Sequence, residues 1–300
     1  MVPERDIAGF VYFYHRPNIG YTVAGVAAWD LHGAETYDCL LYDWGEAHRL
    51  EAGSEMFDFR LDNGLTVELV EPLREYKFTY KGTNSFNSDV ELDLTFTALT
   101  PPHDAGMPSG LEEWGKGHYD QPGRMVGHLA IDGEVIDVDC VAQRDRSWGI
   151  RNIVNNPRGQ MIWGVGSKCA FHALAISDIP PADDPVIGTS ERVIIGYYLK
   201  DGEYGNLVGT SSTISVTERD ITGRPVTYQL DAVDDRGRKL SATGRVRNML
   251  NWQGYSWLMT FWSLVEWEVD GQKILGEGQD YWPLHQSRTF MRSQRVVHTR

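Results

Sequence analysis

The chain has 300 residues, 41% hydrophobic and 23% charged, an ordinary globular composition with room for a substantial core in one long domain or two. Its 28 basic and 42 acidic residues give a formal charge of −14, which repels nucleic-acid phosphates and anionic lipid and excludes both as expected partners. Three cysteines without metal spacing, a charged segment at residues 1–7 where an apolar leader would stand, and the lack of an apolar run of ~18 residues together lead us to expect a cytoplasmic protein without membrane insertion.

In chain order, an aromatic cluster of Phe10, Tyr12, Phe13 and Tyr14 precedes Arg16-Pro17-Asn18 and a run ending at Trp29. Residues 38–48 mix Leu40, Leu41, Tyr42 and Trp44 with acids. Residues 57–61 alternate with period two, Asp62-Asn63-Gly64 supplies a turn, and 65–70 continue the alternation; Asn-Gly between alternating runs predicts a hairpin. Residues 76–80 and 90–99 are further strands. Residues 100–117, broken by prolines and glycines, read as a long loop with a short helix at 111–114. A hairpin follows at 125–141. The second half continues in short strands, at 160–166 and 170–177, then a break at Pro180, Pro181 and Pro185, a strand at 192–199 ending in Asp201-Gly202, a meander over 213–219, 227–234 and 239–247, and a last pair, 257–269 and 272–281, joined by Asp270-Gly271. Nowhere does a 3.6-residue apolar period run for three turns, and Arg288, Arg292, Arg295 and Arg300 read as a solvated end. Short strands between regular turn signals predict an all-β, antiparallel sandwich or barrel.

The hairpin at 125–141 can be worked out in detail. If Asp132-Gly133 is a two-residue turn, His128 opposes Asp137 and Val126 opposes Asp139, and opposed side chains share a face. Met125, Leu129, Ile131, Ile136, Val138 and Cys140 then form a core face, and Arg124, His128, Asp137 and Asp139 the other. That polar face is either a solvated sheet surface or the wall of a ligand cavity with a His held by a carboxylate. Superposing the Asp132-Gly133 and Asp270-Gly271 turns lays His128 over Glu266 and Asp139 over Glu277, a sign of two related β-domains. In the second hairpin Val265, Trp267 and Val269 share one face, and Leu264, Glu266 and Glu268 the other. Glu277 and Asp280 lie in Gly276-Glu277-Gly278-Gln279-Asp280, where backbone can approach a ligand closely or simply bend at the surface.

Midway along the chain, Gln143-Arg144-Asp145-Arg146-Ser147-Trp148-Gly149-Ile150-Arg151 gathers three arginines, a carboxylate and an indole. Guanidinium forks grip carboxylates, so the stretch either pins a junction or holds a charge beside a reacting group. His118-Tyr119-Asp120 brings an imidazole, a phenol and a carboxylate together just after the long loop. His172, inside Cys169-Ala170-Phe171-His172-Ala173-Leu174, reads as a satisfied core histidine. Dinucleotide, phosphate-loop, nucleophile-elbow and HExxH motifs do not occur.

These segments carry a resemblance. The run Gly117-His118-Tyr119-Asp120-Gln121-Pro122-Gly123, Gly127-His128-Leu129 with Asp132-Gly133-Glu134, and Arg144 through Arg151 resemble the AttH-like group, which includes relatives of carotenoid 1,2-hydratase (hydroxyneurosporene synthase). Glu266-Trp267-Glu268-Val269-Asp270-Gly271 and Gly276-Glu277-Gly278 resemble its C-terminal part. The resemblance implies two lipocalin-like antiparallel β-barrel or sandwich domains packed side by side, here 1–151 and 152–300, with a cavity for a hydrophobic small molecule. Beside the resemblance, our leading expectation is cofactor-independent acid–base chemistry on an isoprenoid, steroid or polyketide: hydration, dehydration, isomerisation or cyclisation; a metal site built across strands is open but has no sequence support. Asp145, Asp139 or Tyr119 would be the acid, His128 the relay, and Arg146 or Arg151 the holder of the carboxylate. The neighbouring arginines would lower the pKa of Asp145, which suits an anchor better than an acid. Trp148, Trp163, Trp262 and Trp282 would wall the ligand and stabilise a developing cation, with His118 and Glu277 as further ligand-binding residues. The alternative is a carrier of an apolar metabolite, which needs the same lining and no acid; a partner of another enzyme is the third reading. Oligomeric state is not legible.

Overall fold

Alternation of apolar and polar side chains becomes strand almost everywhere in the computed structural model, which describes residues 1–50, 55–84, 86–104, 106, 115–150, 158–180 and 183–298, with side chains to 294. The first sheet pairs β1 (Ala8–Arg16) with β2 (Tyr21–Trp29), and β2 in turn with β3 (Leu41–Asp43) and β4 (Ala47–Arg49). The second contains β5 (Phe59–Arg60), β6 (Thr66–Glu71), β7 (Glu75–Thr83), β8 (Asp89–Ala98), β9 (His103–Asp104), β10 (Gly117–Ile131) and β11 (Glu134–Trp148), in the order β11-β10-β8-β7-β6-β5 with β9 on β10. The expected helix at 111–114 lies outside the described residues.

The third sheet closes on itself. It contains β12 (Gly159–Val165), β13 (Cys169–Ile176), β14 (Ser190–Lys200), β15 (Glu203–Asn206), β16 (Thr213–Arg219), β17 (Pro225–Val233), β18 (Lys239–Tyr255), β19 (Leu258–Val269) and β20 (Gln272–Pro283). The order is β13-β12-β20-β19-β18-β17-β16-β14-β15, and β13 also pairs with β14, giving an eight-stranded antiparallel barrel with β15 attached. Closure removes the unpaired strand edges that an open sheet would expose.

The chain groups into two compact units. Residues 1–101, 122–142 and 248–250 form one, and 102–121, 143–247 and 251–300 the other. The long strands β10, β11 and β18 therefore contribute to both. The core of the first unit includes Leu129, Ile136, Val138 and Cys140, with Met125 and Ile131 packed against it, so the face assigned by alternation is the buried one. The core of the second fills the barrel with Phe171, Tyr198, Tyr228, Val265, Trp267 and Val269 among others.

Three Asp-Gly pairs make the same turn. Asp132, Asp201 and Asp270 have φ of 51°, 54° and 50°, and Gly133, Gly202 and Gly271 have 81°, 79° and 73°. Positive φ at both central residues is the type I′ turn whose twist matches the flanking strands. One element departs from the sequence reading: the C-terminal end, read as solvated and showing no helical period, is a helix, α1 (Leu284–His298). Its sequence is too polar to show an apolar stripe. It is anchored at a few points, with Phe290 edge-on to Trp282 at 5.3 Å and Gln286 and Ser287 buried, while Arg288 and Arg292 are exposed.

Candidate active site

Strand alternation in the barrel decides where the chemistry stands. Cys169, Phe171, Ala173 and Ala175 of β13 enter the barrel core, so His172 points out of it. Direct cross-strand pairing extends this into a row on the outer face: Tyr197 on β14 opposes His172, His172 opposes Trp163 on β12, Trp163 opposes Glu277 on β20, and Glu277 opposes Leu264 on β19. Every member of the row is buried. An outer barrel face carrying a phenol, an imidazole, an indole and a carboxyl group, all removed from water, is not a solvation surface.

The start of β10 supplies the facing groups. Residues two apart on a strand share a side, so His118 and Asp120 project together. Asp120 Oδ2 lies 2.7 Å from His118 Nε2 and 3.0 Å from His172 Nδ1. Burial pushes the Asp120 carboxyl up, but the facing imidazoles, His172 before His118, outweigh it and hold the group well below the usual carboxylate range. His118 turns its other nitrogen, Nδ1, to Asp145 Oδ1 at 3.5 Å, and the Asp145 side chain is 39% exposed. A line of titratable groups thus leads from solvent at Asp145 through His118 and Asp120 to the fully buried His172. Tyr197, its hydroxyl donating to Gln143 Oε1 at 3.2 Å, is raised well above its ordinary pKa by burial and then by the charge of Asp120. The His103 ring on β9 lies tilted against the Tyr197 ring, centroids 5.2 Å apart, and its pKa is shifted down by its own burial.

Further along the row, the indole N–H groups of Trp163 and Trp262 donate to Glu277 Oε2 at 3.1 and 2.9 Å. Burial raises the Glu277 carboxyl, and the two indole bonds offset this only in part. Trp252 closes on Trp262 edge-to-face at 5.2 Å. The surface bend considered for Glu277 and Asp280 is therefore wrong for both: each is buried, because the glycines around them, Gly276 and Gly278, let β20 pack tightly in the barrel wall.

The remaining candidates fall in three places. Tyr119, Arg146 and Trp148 form a stack at the exposed edge: the Arg146 guanidinium is 6.0 Å from the Tyr119 ring centroid and 5.9 Å from that of Trp148, which is 41% exposed. Arg144 lies over Tyr119 at 5.1 Å. Gly117 admits the Trp148 ring so closely that a Cβ there would sit 2.2 Å from it. Asp139 and His128 belong to the first unit's sheet, where Asp139 pairs with Arg124 at 2.5 Å on an exposed face and His128 opposes Asp93 of β8. Trp282 is inside the barrel, its N–H donating to Asp280 at 2.8 Å. There it belongs to a second buried network in which Arg219 bonds Asp280, Arg158 bonds Glu191 and Asp184, and Gln160 donates to Glu191 at 2.8 Å. Arg151 lies outside the described residues.

Sequence reasoning underrated Asp120 and His172 and missed Tyr197, Gln143 and the interior Arg158–Glu191–Arg219–Asp280 network. The spacing of His118 and Asp120 was a usable signal, since alternate strand positions share a side. So was the frame of β13, where His172 falls out of step with Phe171 and Ala173.

A family model described as a domain of unknown function (DUF7064) matches residues 1–278. The chain belongs to the DUF7064 family. No curated protein matches the DUF7064 chain in sequence. Among solved structures it is similar to a protein assigned as AttH from Nitrosomonas europaea, with a TM-score of 0.57 and 14% identity over 87% of this chain and 80% of that one. It is also similar to kievitone hydratase from Nectria haematococca, with a TM-score of 0.51 and 12% identity over 92% of this chain and 83% of that one. The DUF7064 chain thus has the lipocalin-like, AttH-type fold that its central motif resembles.

Proposed function

We propose that this protein is an enzyme that transforms a hydrophobic small molecule by acid–base chemistry, adding or removing water at a C=C bond or isomerising or cyclising it. The observation that carries the reading is the buried row on the outer barrel face, where two titratable centres flank an indole: His172 with Asp120 and His118 on one side of Trp163, Glu277 on the other. Burial shifts the Glu277 carboxyl upward, towards the neutral form that a proton donor needs. Protonation of an alkene carbon by Glu277 would create a cation that the faces of Trp163 and Trp262 stabilise. Water adding to that cation would release its proton to the imidazole–carboxylate group around Asp120, the line to Asp145 would pass it to solvent, and Glu277 would regain a proton from solvent before the next turnover. Kievitone hydratase, by its name, adds water to its substrate, and the shared fold is compatible with such a reaction here. Asp145, with His118 and the Tyr119–Arg146–Trp148 stack, takes the role of relay and rim.

The test is native mass spectrometry of the purified protein, extraction and identification of retained small molecules, and turnover assays on that chemical class. We expect a bound isoprenoid, steroid or polyketide that is converted, with Glu277→Gln still binding it while turnover falls by roughly 100-fold or more. A ligand that binds and is never converted makes the protein a carrier. A protein that neither retains nor binds such compounds refutes both readings.

A further inference from the structure

His118, Asp120 and His172 also meet the requirements of a metal centre, and we propose that they bind one divalent first-row transition ion per chain. This goes beyond the acid–base reading: an ion would occupy the lone pairs that take up the proton there, that role would pass to water on its open positions, and binding holds or fails independently of the substrate. Two of the ligands stand two residues apart on β10 and the third comes from β13, and their donor atoms lie within 4.8 Å of one another, all three residues being buried. A metal at ~2.0–2.2 Å from nitrogen and oxygen ligands sets neighbouring donor atoms ~3 Å apart in an octahedral shell and ~3.3–3.6 Å apart in a tetrahedral one. The separations from Asp120 Oδ2, 2.7 Å to His118 Nε2 and 3.0 Å to His172 Nδ1, are close to the octahedral spacing, so binding asks for only small outward shifts.

Two details favour a cation over a plain hydrogen-bonded cluster. His118 has a carboxylate oxygen facing each ring nitrogen, Asp120 at Nε2 and Asp145 at Nδ1. A neutral imidazole carries one N–H and would meet one of these carboxylates with a lone pair, and without an ion only a doubly protonated ring would satisfy both. A metal on the Asp120 side resolves this: Nε2 gives its lone pair to the ion, and Nδ1–H points to Asp145, the carboxylate–histidine–metal arrangement that fixes tautomer and ring orientation. Independently, His172 Nδ1 is buried with no hydrogen-bond partner among the described residues although Asp120 Oδ2 lies 3.0 Å away, and an ion between them would take up its lone pair. Two imidazoles and one carboxylate without a thiolate suit Zn2+ or Fe2+, whereas Ca2+ and Mg2+ prefer all-oxygen shells. Three protein ligands leave coordination positions open for water.

Chelator-treated protein is titrated with Co2+ followed by visible absorption, with Zn2+ by calorimetry, and with Fe2+ in the absence of oxygen. We expect one ion per chain, a Co2+ spectrum distinct from that of the aqueous ion, and a preference between Zn2+ and Fe2+ read directly from the two affinities. His118→Gln, Asp120→Asn and His172→Gln should each weaken binding by at least about 100-fold. Asp145→Asn, which removes only the orienting carboxylate, should weaken it by about 10–100-fold. His285→Ala, on the exposed face of α1, should bind as the parent does. Circular dichroism and a thermal melt check that each variant folds; should a buried variant fail to fold, the half-exposed Asp145→Asn still decides. The proposal is overturned by a stoichiometry well below one, or by binding that survives in folded ligand variants. Turnover is not part of this readout, so failure to bind metal leaves the acid–base reading standing, and an inactive protein leaves the metal site standing.

Discussion

The residue that best shows how environment sets chemistry is Glu191. Burial pushes its carboxyl up to about 7 from an ordinary 4.5, even though Arg158 and Arg219 pull it down. Below about pH 4.5 the folded and unfolded chains both hold the proton; between there and about 7 the unfolded chain gives it up first. Stability associated with this group is therefore complete at low pH and lost as pH rises through about 7, by up to roughly 3 kcal/mol. Urea unfolding of Glu191→Gln at about pH 5 and about pH 8 should show a markedly flatter dependence than the parent; an unchanged slope would place the pH sensitivity elsewhere. At the same scale, Arg124–Asp139 is an exposed pair on a solvated face, so a double-mutant cycle should find a small coupling that fades with salt. Residue identity revealed which groups can titrate, and it singled out Glu277, Trp163 and Trp262, but it said nothing about their burial. Burial in the barrel wall shifts the Glu277 carboxyl upward against the pull of the two indole N–H bonds, which no reading of consecutive residues could show.

At the scale of elements, period-two patterning was the most legible signal in the chain. The strands expected at 213–219 and 257–269 correspond to β16 and β19, and the core face of the Asp132-Gly133 hairpin was assigned correctly. That hairpin is longer than its pattern, because β10 begins in the buried stretch of residues 117–123, where both faces are covered and alternation has no meaning. Helix α1 was invisible for the opposite reason: it is held by a few contacts and shows no stripe. Close backbone approach is the other device at this scale. A Cβ on Gly276 would lie 1.8 Å from the Trp163 carbonyl oxygen across the β12–β20 pair. Gly276→Ala must spread two hydrogen-bonded strands beneath Trp163 and Glu277, and should cost about 3 kcal/mol or more, read as a lowered denaturation midpoint. A Gly133→Ala change meets no neighbouring atom and is strained only by its positive φ, so it should cost about 1 kcal/mol. A similar loss in both variants would show that the barrel wall tolerates the extra carbon.

For the molecule as a whole, charge and topology act separately. The net charge of −14 destabilises the compact state by self-repulsion, so the thermal midpoint should rise between low and physiological ionic strength; a fall would mean that surface ion pairs outweigh the net charge. No helix among the described residues is long and apolar enough to cross a membrane. By itself the sequence determined the all-β class, the positions of most strands, the three Asp-Gly turns and the AttH-like resemblance, because alternation and turn chemistry are local and each is written in consecutive residues. It also kept Arg146 with Trp148 and His118 with Asp120, since residues two apart on a strand share a side, but the meeting of Tyr119 with Arg146 and Trp148 follows from the pairing of β10 with β11. Only the tertiary structure decided the site. His172 meets Asp120 because barrel closure turns one face of β13 outward towards the start of β10, and Trp163 meets Glu277 because β12 and β20, far apart in the chain, are paired in register. A one-residue slip of either strand would send these groups to the opposite face. Register across a closed sheet is a property of the whole fold, fixed by the packing of every strand at once.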